Sequence, residues 1–557
     1  MFTRHFPHWP PGQPKTLEIP RATLYRNLVD SGERHPERAA IDYYGTRISY
    51  ADLRREVDLI AGFLQQRCGV TRGDRVLLYA QNSPIFIIGY YAILRADAVV
   101  VPINPMYRTD ELRQFVLDAE PRAAIVEQEL FREIEPLLEA TALRRVIVGA
   151  CSDYVREDTD LPLPEFVRAP RQAISHPTVS AWTAALAAGC APGDHTARPE
   201  DLAVMPYTSG TTGEAKGCMH THLNVQATTV PYGRWRSVQD GSVILSALPL
   251  FHVTGMQAGM NAPIHLGATL VVLSRWDRTC AAMQIERTRV TNWTAITTML
   301  VDFLANPELS KYDLSSLQVL GGGGAAMPEA VARRLESTIG LPFIEGYGLS
   351  ETMAPSHINP AHRPKRQCAG IPFFNTDARV LDVETFRELA PDEVGEIVVH
   401  GPQVFQGYWR KEEATRNAFI EHDGKRFFRT GDLGYYDQEG YFFITDRLKR
   451  MINCSGFKVW PAEVESMLYA HPAIREACVI AARDAYRGET VKALVVLNSG
   501  ANGTITAEEI IGWARAKMAA FKVPRIVEFV DELPKTATGK ILWRRLQESE
   551  NAKQSPG

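Results

Sequence analysis

The chain has few cysteines, no long apolar run and no excess of charge of either sign. Eight of its 557 residues are cysteine, placed singly at 68, 151, 190, 218, 280, 368, 454 and 478 with no CxxC pair. A disulfide framework belongs to short secreted chains, so reduced thiols in a cytoplasmic protein are expected. The longest apolar run, Ile85 to Leu94, stops at Arg95. It is too short to span a bilayer and reads as buried core, so no integral membrane contact is expected. The opening MFTRHFPHWPPGQPK lacks the apolar centre of a signal peptide. Lys plus Arg number 61 against 65 Asp plus Glu, a net charge of −4. That balance gives no electrostatic reason for a nucleic-acid or anionic-membrane partner. There is no repeat of fixed period and no low-complexity tract.

Hydrophobic residues make up 45% and charged residues 23%, which is globular composition, and the length suggests three or four folding units. Residues 1–20, rich in Pro and His, read as a loose arm. From 35 to 200, strand-like runs (DRVLLYA, AVVVPI, AAIVE) alternate with helical ones such as PIFIIGYYAILRA, which implies parallel sheet. A Pro-rich loop is expected from Leu161 to Pro199. The alternation resumes from Leu202 to about Glu351 in VILSALP, ATLVVL, VTNWTAI and LQVLGG. Between 378 and 445, EIVVHG, RFFRTG and YFFIT are separated by Gly, Asp and Asn turns, which suggests a small antiparallel unit. Mixed helix and strand follow to Leu546, and the tail ESENAKQSPG reads as disordered.

The strongest local signal is YTSGTTGEAKG, Tyr207 to Gly217. Thr208, Ser209, Thr211 and Thr212 stand among Gly210, Gly213 and Gly217, with Lys216 near the end. Glycines let backbone approach a ligand, and hydroxyls, free N–H groups and a Lys suit a polyphosphate. The spacing is not that of the GxxxxGK[ST] loop. Other signals are weaker. Gly321, Gly323 and Ala326 spell GxGxxA after a strand, with Glu345 about twenty residues on, a faint dinucleotide fingerprint without the rest of a dehydrogenase. His220 and His222 lack a third metal ligand and read as solvated histidines. Cys454 has no His or Asp pattern around it and reads as a small packed thiol.

With the Tyr207–Gly217 string, the chain resembles the adenylate-forming superfamily, which holds acyl- and aryl-CoA ligases, firefly luciferase and peptide-synthetase adenylation domains. Further signatures follow in order across nearly the whole chain: LPLFHVTGM (248–256), GGGGAAMP (321–328), EGYGLSET (345–352), GEIVVHGPQVFQGYW (395–409), FRTGDLG (428–434), TDRLKRMINCSGFKVWPAEVE (445–465) and PKTATGK (534–540). The resemblance implies an α/β fold. A large N-terminal domain, 1–447, would hold two doubly wound subdomains and a distorted β-barrel, and 448–557 a small mobile α+β lid. It implies ATP, Mg²⁺ and coenzyme A: a carboxylic acid attacks the α-phosphate of ATP, and a thiol then displaces AMP.

The same resemblance assigns roles by position. Lys540 bridges carboxylate and α-phosphate; Glu351 and Thr208 hold Mg²⁺; Lys540, Glu351, Thr208 and His252 form the catalytic set. Ser209, Gly210, Thr211, Thr212, Gly213, Lys216 and Thr352 face the phosphates. Tyr347 stacks on adenine, or is core, opposite Gly324, Ala325 and Ala326; Glu345, Gly346 and Gly348 flank it. Asp432 and Arg447 take the ribose. Lys449 is the hinge and Gly456 lines the path of the thiol. Lys540 also lies in a PxxxxGK pattern that acetyltransferases recognise, and acetylation would remove its charge. A homodimer and transient peripheral membrane contact stay open.

No acid stands between Leu248 and Met256, which argues against an α-amino acid substrate. Gly348 and the glycines 321–324 are expected to leave the acid pocket open, lined by Trp293, Thr297, Thr298 and Met299, or these four are core. A medium- or long-chain fatty acid fits best; aryl or alicyclic acids remain an alternative. So does an acyl-AMP ligase loading a carrier protein. Asn453 stands where luciferase has a second Lys, which weakens an oxygenase reading. A non-catalytic adenylate binder would be expected to have lost Lys540, Glu351 or Asp432, and all three are present.

Overall fold

A computed structural model describes residues 1–209, 215–324, 327–447, 450–454, 457–484, 488–498, 505–536 and 541–553. By compactness the chain divides into two units, one of Met1–Ala378 with Val399–Phe428 and one of Arg379–Val398 with Arg429–Gly557.

The first unit is built on two sheets, as the strand–helix alternation predicts. A seven-stranded sheet runs in the order His220–Thr221, Leu202–Val204, Val99–Pro102, Arg75–Tyr79, Ala123–Glu127, Val146–Gly149, Val179–Ala181. Its strands are parallel apart from the first. A nine-stranded sheet has a parallel centre: Phe343–Tyr347, Val319–Gly323, Asn292–Ala295, Val243–Ser246, Thr269–Val272 and Ala39–Tyr43. Parallel strands buried on both faces read as continuous apolar runs, which is how these were recognised.

Helix Pro84–Arg95 illustrates the local logic. The Ser83 hydroxyl accepts from Phe86 N at 3.2 Å, and Pro84 takes the first turn, where its missing N–H costs nothing. Every residue from Pro84 to Leu94 is buried, so its apolar run serves as core. Each large apolar side chain there contributes about 1.5–3 kcal/mol. The helix gives way to Asp97 at φ +60°, a left-handed residue.

Two expectations are corrected in this unit. The N-terminal arm is not loose: Phe2, His5 and Trp9 are buried, and Phe2 N donates to Asp377 Oδ1 at 2.7 Å. Trp9 meets Trp235 and Phe374 edge-on at 5.0 and 5.3 Å. The Pro-rich stretch 161–199 contains two short helices, Glu165–Arg168 and Trp182–Ala187, and the edge strand Val179–Ala181.

Strand Lys425–Tyr436 contributes to both units. Its first half pairs with Phe419–His422 in the first unit, and its second half pairs with Phe442–Arg447 in the second. The rest of the second unit is α+β. Gly488–Leu497 is central, flanked by Ile474–Asp484 antiparallel and Ile526–Phe529 parallel, with helices Pro461–Leu468, Ala507–Arg515 and Trp543–Lys553. The last helix corrects the tail expectation as far as Lys553: its Glu550 is buried and accepts from Lys492 Nζ at 2.6 Å. No described helix is long and apolar enough to cross a membrane.

Candidate active site

Strand Tyr207–Ser209 pairs antiparallel with Ala215–Gly217, and the register sets Thr208 opposite Lys216. Gly210, Thr211, Thr212 and Gly213 lie outside the described residues. The base of the hairpin is fixed on both arms. The Tyr207 hydroxyl donates to Asp118 Oδ2 at 2.5 Å, and Trp409 N donates to Gly217 O at 2.8 Å. Burial, reinforced by Asp118, raises the Tyr207 phenol and keeps it a donor.

Glu351 sits buried in the 3₁₀ turn Ser350–Thr352. Its Oε1 accepts from the Tyr408 hydroxyl at 2.9 Å. Lys216 Nζ lies 5.1 Å from the centroid of the same ring. An acid, a phenol and an ammonium from three separate motifs therefore meet beside the hairpin. Burial and then the Glu351 charge raise both the Tyr408 phenol and the Cys218 thiol, so each is neutral at neutral pH. The turn itself is anchored. Leu349 N donates to Thr352 Oγ1 at 2.9 Å, and His220 Nε2–H donates to Ser350 O at 2.7 Å.

His220 and His222 are buried, not solvated, because the strand His220–Thr221 and the helix that follows pack both inward. Burial lowers them to about 4 and about 3. Leu24 N donates to His222 Nδ1 at 3.1 Å. Among the described residues neither belongs to a cluster able to hold a metal.

Strand Phe343–Tyr347 brings Glu345, Gly346 and Tyr347 together, followed by Gly348. Glu345 accepts from Met327 N at 3.1 Å and Cys368 N at 2.8 Å, and burial raises its carboxyl despite these bonds. It clamps the segment that resumes after 325–326, which itself lies outside the described residues. Tyr347 is half-buried, its ring 5.7 Å from that of buried His357. Gly324 has φ +96°, with open space where a Cβ would stand. A bare, left-handed backbone position of this kind suits a flat ligand face.

Of the glycines expected to leave the acid pocket open, Gly324 has free space beside it, but Gly321, Gly322, Gly323 and Gly348 do not. A Cβ on Gly321 would lie 1.8 Å from Arg236 Nη1; on Gly322, 1.7 Å from Ala295 O; on Gly323, 2.3 Å from Gly346 O. Their missing side chains make room for neighbouring strands and one guanidinium. A Cβ on Gly348 would lie 2.9 Å from Ala354 Cα, so that space too is filled by backbone. Trp293 does line a cavity, with Tyr232, Ala258 and Thr294. Met299 is buried, Thr297 is half-buried and Thr298 is exposed. His252 caps helix Val253–Met256, its Nδ1 accepting from Thr254 N at 3.3 Å.

In the second unit the register places buried Asp432 directly opposite Arg447. Asp432 N donates to Thr430 Oγ1 at 3.0 Å. Lys449, Gly456 and Lys540 lie outside the described residues. Asp446 and Arg450 flank the expected hinge. Asp446 Oδ2 accepts from Ala462 N at 2.7 Å, and Arg450 pairs with Glu465 and lies 3.8 Å from Asp446. Sequence patterns did not point to Tyr408, Arg450 or Glu465. All three sit inside recognised motifs, but their partners are fixed by the fold and by no spacing.

The donor set fits the expected ligands. A buried carboxylate beside a hydroxyl-rich hairpin suits Mg²⁺ on phosphate oxygens, and Lys216 suits the phosphates themselves. Asp432, as a buried acceptor, suits ribose hydroxyls.

Comparison with known proteins agrees with this geometry. The AMP-binding enzyme family model matches residues 28–409, and the model of the AMP-binding enzyme C-terminal domain matches 463–540. A long-chain-fatty-acid–CoA ligase of Bacillus subtilis (strain 168) is 38% identical, over 97% of both chains. A feruloyl-CoA synthase of Amycolatopsis sp. is 34% identical, over 91% of this chain and 95% of its own. The crystal structure of ATP-bound MatB from Rhodopseudomonas palustris superposes with a TM-score of 0.83 at 29% identity, over 96% of this chain and all of that one. Fold and site define an adenylate-forming enzyme. The chain belongs to the AMP-binding enzyme family, in its acyl-CoA synthetase branch, as an AMP-forming ligase.

Proposed function

We propose that the protein joins a carboxylic acid to coenzyme A using ATP, through an acyl-adenylate, and that a medium- or long-chain fatty acid is its acid. The observation that carries this is the meeting of Glu351, Tyr408 and Lys216 beside the Thr208 hairpin, in a chain 38% identical over 97% of its length to a long-chain-fatty-acid–CoA ligase. A carboxylate is already ionised at neutral pH, at a pKa of about 4, so the first step needs no base. It needs cations that hold two anions together and stabilise charge at phosphorus. Lys216 and Lys540 supply two of them. Glu351 and Thr208 would hold Mg²⁺, which neutralises phosphate charge. Asp432 and Arg447 orient the ribose, and Tyr347 with 324–326 encloses adenine. His252 lies at the acid. For the second step 448–557 turns as a lid about Lys449, withdrawing Lys540 and bringing Gly456 to the thiol.

A second reading, an aryl acid, is favoured by the feruloyl-CoA synthase relative, 34% identical over 91% of this chain. Cytoplasmic location, homodimerisation and acetylation of Lys540 belong to the same proposal; light scattering tests the dimer and mass spectrometry under acetylating conditions the modification.

The deciding experiment is AMP release with ATP, Mg²⁺ and CoA over acids from acetate to palmitate, with benzoate, cinnamate and cyclohexanecarboxylate. A maximum at about six to sixteen carbons is expected, because each buried CH₂ adds about 0.8 kcal/mol until the pocket ends. A maximum at a ring acid moves the enzyme to the second reading. In the same assay Lys540→Ala should lose about 10²–10³-fold in adenylation and spare thioester formation from supplied acyl-AMP. Equal loss in both half-reactions would overturn the division of roles.

A further inference from the structure

Arg236 is the last residue of helix His222–Arg236 and is 6% exposed. Its Nη2 donates to Ile344 O at 3.1 Å, while Nε and Nη1 have no hydrogen-bond partner. Among the described residues no carboxylate pairs with it, and the aromatic face nearest its charge is Tyr232, 6.0 Å away. A guanidinium stays protonated in proteins, so this is a buried cation with two unmet donors. Such a group is costly unless a partner offsets its desolvation.

The fold is shaped around this cation. Gly321 packs directly against it: a Cβ there would lie 1.8 Å from Nη1 and 2.5 Å from the backbone Ile344 O. Arg236 lines a narrow cavity together with Tyr232, Ala258, Asn292, Trp293 and Thr294. The cavity has room for about one water-sized group. Its place relative to the site follows from the strands. Gly321 precedes Gly324 by three residues, about 10 Å along an extended chain. Ala258 lies in the π-turn Gln257–Asn261, which continues directly from the His252-capped helix.

We infer that this cavity is the far end of the acid pocket, and that Arg236 selects acids bearing a hydrogen-bond-accepting oxygen at the end opposite the reacting carboxylate. A single terminal oxygen, as in a hydroxyl or a phenol, matches the space and meets the donors; a second carboxylate also meets the charge but needs the cavity to widen for its second oxygen. The inference rests on the acid–CoA ligase reading and narrows it. A plain saturated acid of the right length leaves the guanidinium unmet and is the poorer substrate.

The test is AMP release with acids matched in length: octanoate, 8-hydroxyoctanoate and octanedioate, then cinnamate and 4-hydroxycinnamate, with wild type, Arg236→Lys and Arg236→Met. Wild type should favour the oxygen-bearing member of a set in kcat/KM by about 10²-fold, since a site built to bond an oxygen rejects the analogue without it. Arg236→Met should reverse that order, and Arg236→Lys should keep it at reduced size. The dicarboxylate and hydroxyl arms separate a charge partner from a simple acceptor. If wild type takes the plain acids equally well or better, the inference falls and the ligase reading stands. If no acid releases AMP, both fall. The wild-type comparison decides even where a variant does not fold.

Discussion

Glu351 is buried, and the Tyr408 hydroxyl bonded to it belongs to a segment 57 residues away. Tyr408→Phe removes that donor and keeps the ring under Lys216. We expect a loss of about 1–3 kcal/mol, the usual result of taking a partner from a buried acceptor. A higher Mg²⁺ requirement for adenylation should accompany it, because the carboxylate is less firmly held. Thermal denaturation and a Mg²⁺ titration of AMP release check both; a variant unchanged in each would make the contact incidental. At this scale the sequence was half legible. Glu351, Thr208 and Asp432 could be singled out as candidates because their motifs are contiguous strings. Tyr408 was not singled out, since nothing in QVFQGYW says which residue turns toward EGYGLSET. Arg236 gave no signal at all: an arginine in a last helical turn ordinarily points into water beside the helix C-terminus. Its burial depends on Gly321, which lies 85 residues further on. The roles of Thr211, Lys449, Gly456 and Lys540 stand on resemblance, since these residues lie outside the described ones.

Elements were the most legible level. Helix Pro84–Arg95 follows from a Ser–Pro start and a run apolar on all faces, and the parallel strands follow from short Val- and Ile-rich runs. What the sequence could not give is how an element's end is tied down. Asp97, just past that helix, carries no such signal in the sequence. It holds a left-handed turn, with Oδ1 2.6 Å from His195 Nδ1 and Oδ2 accepting from Thr196 N at 2.8 Å and Thr196 Oγ1 at 2.6 Å. Burial alone would raise this carboxyl, but the His195 and Thr196 contacts outweigh it and hold it at about 2. A carboxyl depressed on folding stabilises the protein above its unfolded pKa of about 4 and loses that contribution as pH falls toward the folded value. Asp97→Asn should therefore be about 1–2 kcal/mol less stable than wild type near neutral pH, after allowance for solvent screening. The gap should close between about pH 4 and pH 2. Melting curves of both proteins over that series provide the check, and a gap that stays constant would mean Asp97 acts through turn geometry alone. The glycine strand Val319–Gly323 is the complementary case: its type was legible, but the reason for its glycines was not, because a sequence does not say what occupies an absent Cβ.

Across the whole molecule, the α/β class and the succession of units could be read from changes in strand and helix spacing. The two ends could not. Composition marked 1–20 as loose because Pro and His are frequent there, but composition counts residue types and not the surfaces they meet. Trp9 is 5% exposed, its Nε1 donates to Pro14 O at 2.9 Å, and its ring closes over Trp235 and Phe374. Lys15 Nζ lies 5.3 Å from the same indole. The arm is thus a strap across the end of helix His222–Arg236, the helix that terminates in the buried guanidinium. Trp9→Ala should cost about 3–5 kcal/mol, as for other large-to-small changes at buried aromatics. The loss should fall on the first unit alone, because every partner of Trp9 lies there. Hydrogen exchange separates this from a general weakening. Amides of 222–236 and 371–377 should exchange faster in the variant, whereas those of 474–497 in the second unit should not change. Equal acceleration in both units would mean that the indole supports the whole chain; no acceleration in 222–236 would mean the arm is as loose as its composition suggests.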